Sequence, residues 1–179
     1  MKASPFEPLP SIDALDHALG APSARVTLVE YVDFECPNCK QAAPVVKLLL
    51  TRFHANLGVV CRHFPLEEVH AHALAAALAA QAAGAQAKFW PMHDLLFAKQ
   101  RSLSPTSLRT WAETLGLDLQ RFDADMADPR HLARIRQQME GARLSGVRAT
   151  PTFFVNGAIQ DISFGYAALA QRIERALQG

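Results

Sequence analysis

Apolar and polar positions alternate in three regimes along the chain. From Val26 to Phe34 a run rich in β-branched and aromatic residues reads as a first strand. Helical spacing follows from Pro37 to about His54, with Pro37 at a tolerated first-turn position and Pro44 inside, where a kink is expected. Val59 to Phe64 reads as a second strand, stopped by Pro65. Together they predict a βαβ unit with parallel strands and a right-handed crossover. Residues 66 to about 146 then read almost entirely as helix. Alanine fills most of the stretch from Ala71 to Ala87, which has high helix propensity. Ser104-Pro105 and Asp128-Pro129 are helix starts, each a capping side chain followed by a first-turn proline. The β period returns at Thr152–Val155 and Ala158–Gln160 around an Asn156-Gly157 turn, and a last amphipathic helix starts near Tyr166.

The polar, proline-bearing residues 1–24 read as a loosely attached arm with a short helix at Ser11–Leu19. The order is therefore βαβ, a helical insertion over 66–146, and ββα, with the α/β domain built from 25–65 and 147–179. With 179 residues the chain can bury a core of its own.

Chemistry concentrates at Cys36-Pro37-Asn38-Cys39, between the first strand and the first helix. Two cysteines at i and i+3 on a first turn can close a small disulfide ring. The helix's unpaired N–H groups and dipole favour a thiolate on the first of them. Cys36 is thus the expected exposed nucleophile, and Cys39, one turn inside, the buried resolving thiol. A third cysteine, Cys61, cannot complete a second pair and reads as a core residue. Glu30 is a carboxylate in an otherwise apolar strand; burial would raise its pKa and let it relay a proton to or from Cys39.

Competing readings follow from the same residues. A CxxC is also half of a zinc or copper site, here completed by Cys61 and His63. His63, His70, His72 and His93 otherwise read as structural or surface polar residues. Arg130, Arg134, Arg136 and Arg143 read as a solvated helix face. A net charge of +1 gives no reason to expect nucleic acid, and no apolar run reaches the length of a membrane span. Residues 1–25 hold no apolar block of leader length, so a cytoplasmic location is expected, or a periplasmic one if a leader has been removed.

The segments Val29–Cys39, Arg62–Leu66 and Gly146–Gly157 together resemble the DsbA-like thiol–disulfide oxidoreductases. The resemblance covers roughly residues 25–178 and implies a thioredoxin-like fold with an all-helical insertion between its second and third strands. It implies a monomer without a bound cofactor, exchanging a Cys36–Cys39 disulfide with the thiols of protein substrates and recycled by a redox partner. It also implies a cis peptide at Thr150-Pro151 facing Cys36, with Thr150 able to pair with a substrate chain. Glu30 falls at the family's buried-acid position. Pro37-Asn38 departs from the Pro-His pair of the strongly oxidising members and leaves the direction of exchange open. A glutathione-linked isomerase or transferase on the same fold is the rival enzyme, but such relatives typically lack the intact cysteine pair.

Overall fold

The computed structural model describes residues 6–21, 23–163 and 165–179. Its elements are β1 (His17–Gly20), β2 (Val26–Val32), α1 (Pro37–Phe53), a 3-10 turn (His54–Asn56), β3 (Leu57–His63) and α2 (Ala73–Gly84). They continue with α3 (Phe89–Ala98), α4 (Pro105–Thr114), α5 (Leu119–Met126), α6 (Pro129–Leu144), β4 (Thr152–Val155), β5 (Ala158–Gln160) and α7 (Ala167–Gln178). The fold is thioredoxin-like, with five helices inserted between β3 and β4.

One sheet of order β1-β3-β2-β4-β5 organises the molecule. β2 lies at its centre, parallel to β3 and antiparallel to β4, so Glu30 sits between Cys61 and Phe153. Alternation along the strands sorts the core into two faces. Val26, Leu28, Leu57, Val59 and Phe153 pack on one face against Ala42, Val46 and Leu49 of α1 and Leu169 and Ile173 of α7. Toward the Cys36 end of that face, Val32, Phe34 and Cys61 meet α2 and α3. Val29, Tyr31, Val60 and Phe154 pack on the other face against Ile135, Met139 and Ala142 of α6. Each of the larger side chains among these contributes roughly 1.5–3 kcal/mol relative to exposure.

The local signals placed most elements. Pro37 occupies the first turn of α1, which runs on through Pro44. Ser104 Oγ accepts the Ser107 N–H at the start of α4, and Asp128 Oδ1 accepts the Arg130 N–H at the start of α6. Asn156 and Gly157, both at positive φ, form the β4–β5 turn.

Two expectations fail on the N-terminal side. Residues 11–19 form no helix: His17–Gly20 is instead an edge strand, paired antiparallel with β3. Nor are the described residues of the arm loose. Arg62 donates to the carbonyls of Pro10 and Ser11 and to the Asp16 carboxylate, and the Glu7 N–H donates to the Leu144 carbonyl. His17 stacks on Phe89 at 3.6 Å, directly over Gly84, where an added Cβ would lie 2.7 Å from the imidazole. The arginine face of α6 is also not uniformly solvated. The Arg134 side chain is 11% exposed because it turns in to pair with Asp13 and Asp16.

Candidate active site

The end of β2 delivers the chain into α1 through Asp33, Phe34 and Glu35. Cys36 is the N-cap residue of α1, with an extended backbone and no side-chain cap bond. Its N–H donates to the Asp33 carbonyl at 3.1 Å, and its carbonyl accepts the Lys40 N–H at 3.2 Å. Pro37 and Asn38 stand exposed on the first turn. Cys39 is one turn in and fully buried.

The expected exposure of Cys36 is not found; the residue is only 5% exposed. The reason is the segment before β4. Thr150 and Pro151 are both buried beside it, the peptide bond between them is cis, and the Thr150 carbonyl accepts the Cys36 thiol at 3.3 Å. All three cysteines are free thiols.

The thiols of Cys36 and Cys39 are opposed electrically. The Cys36 pKa falls from 9.0 to about 5. The largest cause is a hydrogen bond from the Cys39 thiol, helped by the N–H groups of Cys39 and Asn38 and opposed by burial. The Thr150 side chain adds to the shift, although its Oγ1 makes no directed hydrogen bond. Cys39 moves far upward, first through burial, then through Cys36 and the charge of Glu30. Glu30 is 3% exposed, its Oε1 has no hydrogen-bond partner, and burial pushes its pKa up to about 8. The carboxyl group is therefore within electrostatic reach of the thiol it was expected to serve.

Three contacts at this site carry no sequence signal that a reading of motifs would find. Gln100, in the loop after α3, donates from Nε2 to the carbonyls of Phe34 at 2.9 Å and Cys36 at 2.8 Å. Tyr166, before α7, donates from its hydroxyl to the Asn38 carbonyl at 3.2 Å. His70 pairs with Asp33 at 2.8 Å and so belongs to the site, not to the general surface. His63 and His93 are buried among Phe34, Phe89 and Phe97, the structural one of the two expected alternatives. His63 and Cys61 do not gather with the CxxC into a metal centre. Among the described residues, the group of three potential ligands that comes within 4.8 Å is Asp125, Asp128 and His131.

The sequence profile of the family described as Thioredoxin matches residues 13–175. A thioredoxin-like oxidoreductase from Silicibacter pomeroyi is 30% identical, with a TM-score of 0.83 over 93% of this chain and 95% of that one. BdbD from Bacillus subtilis superposes with a TM-score of 0.86 at 22% identity, over 99% of this chain and all of that one. A Salinispora arenicola protein named as a Na(+)/H(+) antiporter, NhaA 1, is 51% identical over 92% of this chain and 25% of its own length. The chain thus spans about a quarter of the length of the curated relatives it matches.

The cytoplasmic expectation is overturned. The similar structures include a periplasmic thioredoxin-like protein from Salmonella enterica, at 22% identity and a TM-score of 0.79 over 93% of this chain and 92% of that one. The expectation rested on the apolar pattern of residues 1–25, which bears on neither the fold nor the thiol chemistry. With the CxxC at the head of α1, the cis-proline segment beside it and the helical insertion in place, the chain belongs to the thioredoxin family, on the DsbA-like form of its fold.

Proposed function

We propose that this chain is a protein thiol–disulfide oxidoreductase working through a mixed disulfide at Cys36. The observation that carries this reading is the pair of opposed thiols, with Cys36 favoured as thiolate at the helix start and Cys39 buried as thiol behind it. In the donor direction a substrate thiolate attacks Cys36 Sγ of the Cys36–Cys39 disulfide, and Cys39 leaves. Glu30, held largely protonated at neutral pH, gives that buried leaving group its proton. A second substrate thiolate then attacks the substrate sulfur bound to Cys36, and Cys36 leaves as thiolate. The substrate pair is oxidised by two electrons and the Cys36–Cys39 pair reduced. Thr150 and the cis Pro151 lie where an extended substrate segment would pair beside Cys36.

A low Cys36 pKa stabilises the reduced form and so favours the disulfide-donor direction, which suits an oxidising compartment. Protein thiols are the substrates in this reading, and a separate redox partner restores the disulfide. Transport is not assigned to this chain: among the described residues no helix is long and apolar enough to cross a membrane.

Trapping tests the roles of the two cysteines. Cys39→Ser should accumulate mixed disulfides with a thiol-bearing peptide, and Cys36→Ser should form none. Alkylation of the reduced protein should show a midpoint near the Cys36 pKa of about 5. Equal trapping by both variants would overturn the assignment.

A further inference from the structure

The segment leading into Cys36 is fastened to the loop that follows β3. Asp33 is 1% exposed and accepts the Glu35 N–H through Oδ1 at 2.7 Å and the Leu66 N–H through Oδ2 at 2.9 Å. The same Oδ2 lies 2.8 Å from Nδ1 of His70. Glu35 Oε2 accepts the His72 N–H at 2.7 Å. The Asp33 carbonyl is also the acceptor for the Cys36 N–H. One residue therefore joins the nucleophile to the loop carrying His70.

A buried carboxylate three positions before a thiolate is an unfavourable neighbour, because two like charges share a poorly solvated region. The exposed dipeptide Pro37-Asn38 brings no cation to offset it. His70 is the cation placed to do so, and its side chain keeps 21% exposure, enough to exchange a proton with solvent.

We propose that His70 is a positioning residue for the Cys36–Cys39 couple: paired with Asp33, its imidazolium cancels the carboxylate charge beside Cys36 and favours the Cys36 thiolate. This inference rests on the redox reading above. Burial works against a charge on His70, but the Asp33 hydrogen bond and the charges of Asp33, Cys36 and Glu35 outweigh it and raise its pKa. The titratable groups of the two segments that meet here are Asp33, Glu35 and Cys36 on one side and Glu67, Glu68 and His72 on the other. Glu67 is engaged by Arg136 of α6. Linkage sets the sign. The reduced form, with its thiolate, holds the His70 proton more tightly than the oxidised form does. The preference for the reduced form is therefore greatest while His70 is protonated and shrinks as pH rises through its titration.

The test compares the parent, His70→Gln, Asp33→Asn and the double variant. The readouts are the ultraviolet absorbance of the Cys36 thiolate, from about pH 3.5 to about pH 8.5, and the equilibrium with glutathione, from about pH 5.5 to about pH 8.5. His70→Gln should raise the Cys36 titration midpoint and lower the equilibrium constant for oxidising glutathione by roughly three- to tenfold near pH 6. The change should be smaller when Asp33 is already Asn, since His70 then lacks the hydrogen bond and the carboxylate charge that keep it protonated. An unchanged midpoint and equilibrium in His70→Gln, or an equal change in both backgrounds, would overturn the proposal.

Should Asp33→Asn fail to fold, the His70 titration of the parent, followed by NMR, decides instead. A higher pKa in the reduced form than in the oxidised form supports the proposal, and equal values overturn it. A parent protein that forms no disulfide in glutathione buffer refutes the redox reading itself. Exchange that proceeds with no His70 effect refutes only this inference.

Discussion

The two faces of the central sheet treat buried polar groups in opposite ways, and β3 supplies both. On the α6 face, Arg62 is 3% exposed and its guanidinium is fully occupied. It reaches Asp16 at 2.7 and 3.0 Å, the carbonyls of Pro10 and Ser11, and the Tyr31 hydroxyl at 3.3 Å. Arg134 adds a second cation to the same Asp16. On the opposite face, the neighbouring residue His63 is completely buried with neither ring nitrogen partnered, and Glu30 on the next strand leaves Oε1 unpaired.

The consequence is electrical. The paired face holds its charges in place, whereas burial drives Glu30 up to about 8 and His63 down to about 3. Unpaired burial costs stability; Glu30 and His63 carry it on the face of Cys36 and Cys39, while on the α6 face it is limited to single atoms of otherwise bonded side chains, Arg134 Nε and Gln138 Nε2. On this sheet, ion pairing secures the arm, and the thiol side keeps groups whose protonation is free to change.

The largest effect should come from breaking the paired face. Arg62→Met leaves Asp16 buried without its main partner, so the folded state should lose about 3–5 kcal/mol. Urea unfolding at neutral pH measures it, and a loss under about 1 kcal/mol would erase the contrast.

Glu30→Gln should do the reverse and stabilise the protein, by about 2–4 kcal/mol at neutral pH. The folded pKa of Glu30 is raised, from 4.5 to about 8, so its favourable contribution is complete below 4.5 and is lost as pH rises toward 8. The advantage of the amide should therefore grow across that interval, while disulfide exchange slows because Cys39 loses its proton relay. Equal unfolding curves at both ends of the interval would show that Glu30 is not held neutral.

His63 has the opposite sign. Its folded pKa of about 3 lies below the ordinary 6.5, so its contribution is complete above 6.5 and is lost as pH falls toward 3. His63→Leu should remove roughly 1–3 kcal/mol of that acid sensitivity. Parallel stability curves for parent and variant between pH 6.5 and pH 3 would place a partner on the ring that the packing does not provide.

The smallest change belongs to the exposed dipeptide. Asn38→His should lower the Cys36 pKa by a few tenths of a unit and shift the glutathione equilibrium about two- to threefold toward the reduced form. The effect is small because the neighbouring thiol and the helix N–H groups already bring Cys36 down to about 5. An unchanged or opposite shift would mean that the dipeptide does not tune this site.

By itself the sequence determined the elements whose causes are local. The β2–CxxC–α1 order follows from a β-branched run, a first-turn proline and helical spacing within a few residues of one another. The Asn156-Gly157 turn and the caps at Ser104 and Asp128 are equally local, because each is satisfied within three residues. Cys36, Cys39 and Glu30 were legible as candidate chemistry for the same reason: their position on an element limits their surroundings.

Tertiary structure decided the rest. His17–Gly20 has no strand pattern of its own and becomes β1 only by pairing with β3 and seating His17 over Gly84. Arg134 looked like one of several surface arginines until Asp13 and Asp16 of the arm closed over it. Gln100 and His70 reach the active-site segment from the helical insertion, far along the chain from Cys36. Capping and periodicity act over a few residues. Which polar side chains meet in a buried space depends on how whole elements pack, and only the folded chain brings them together.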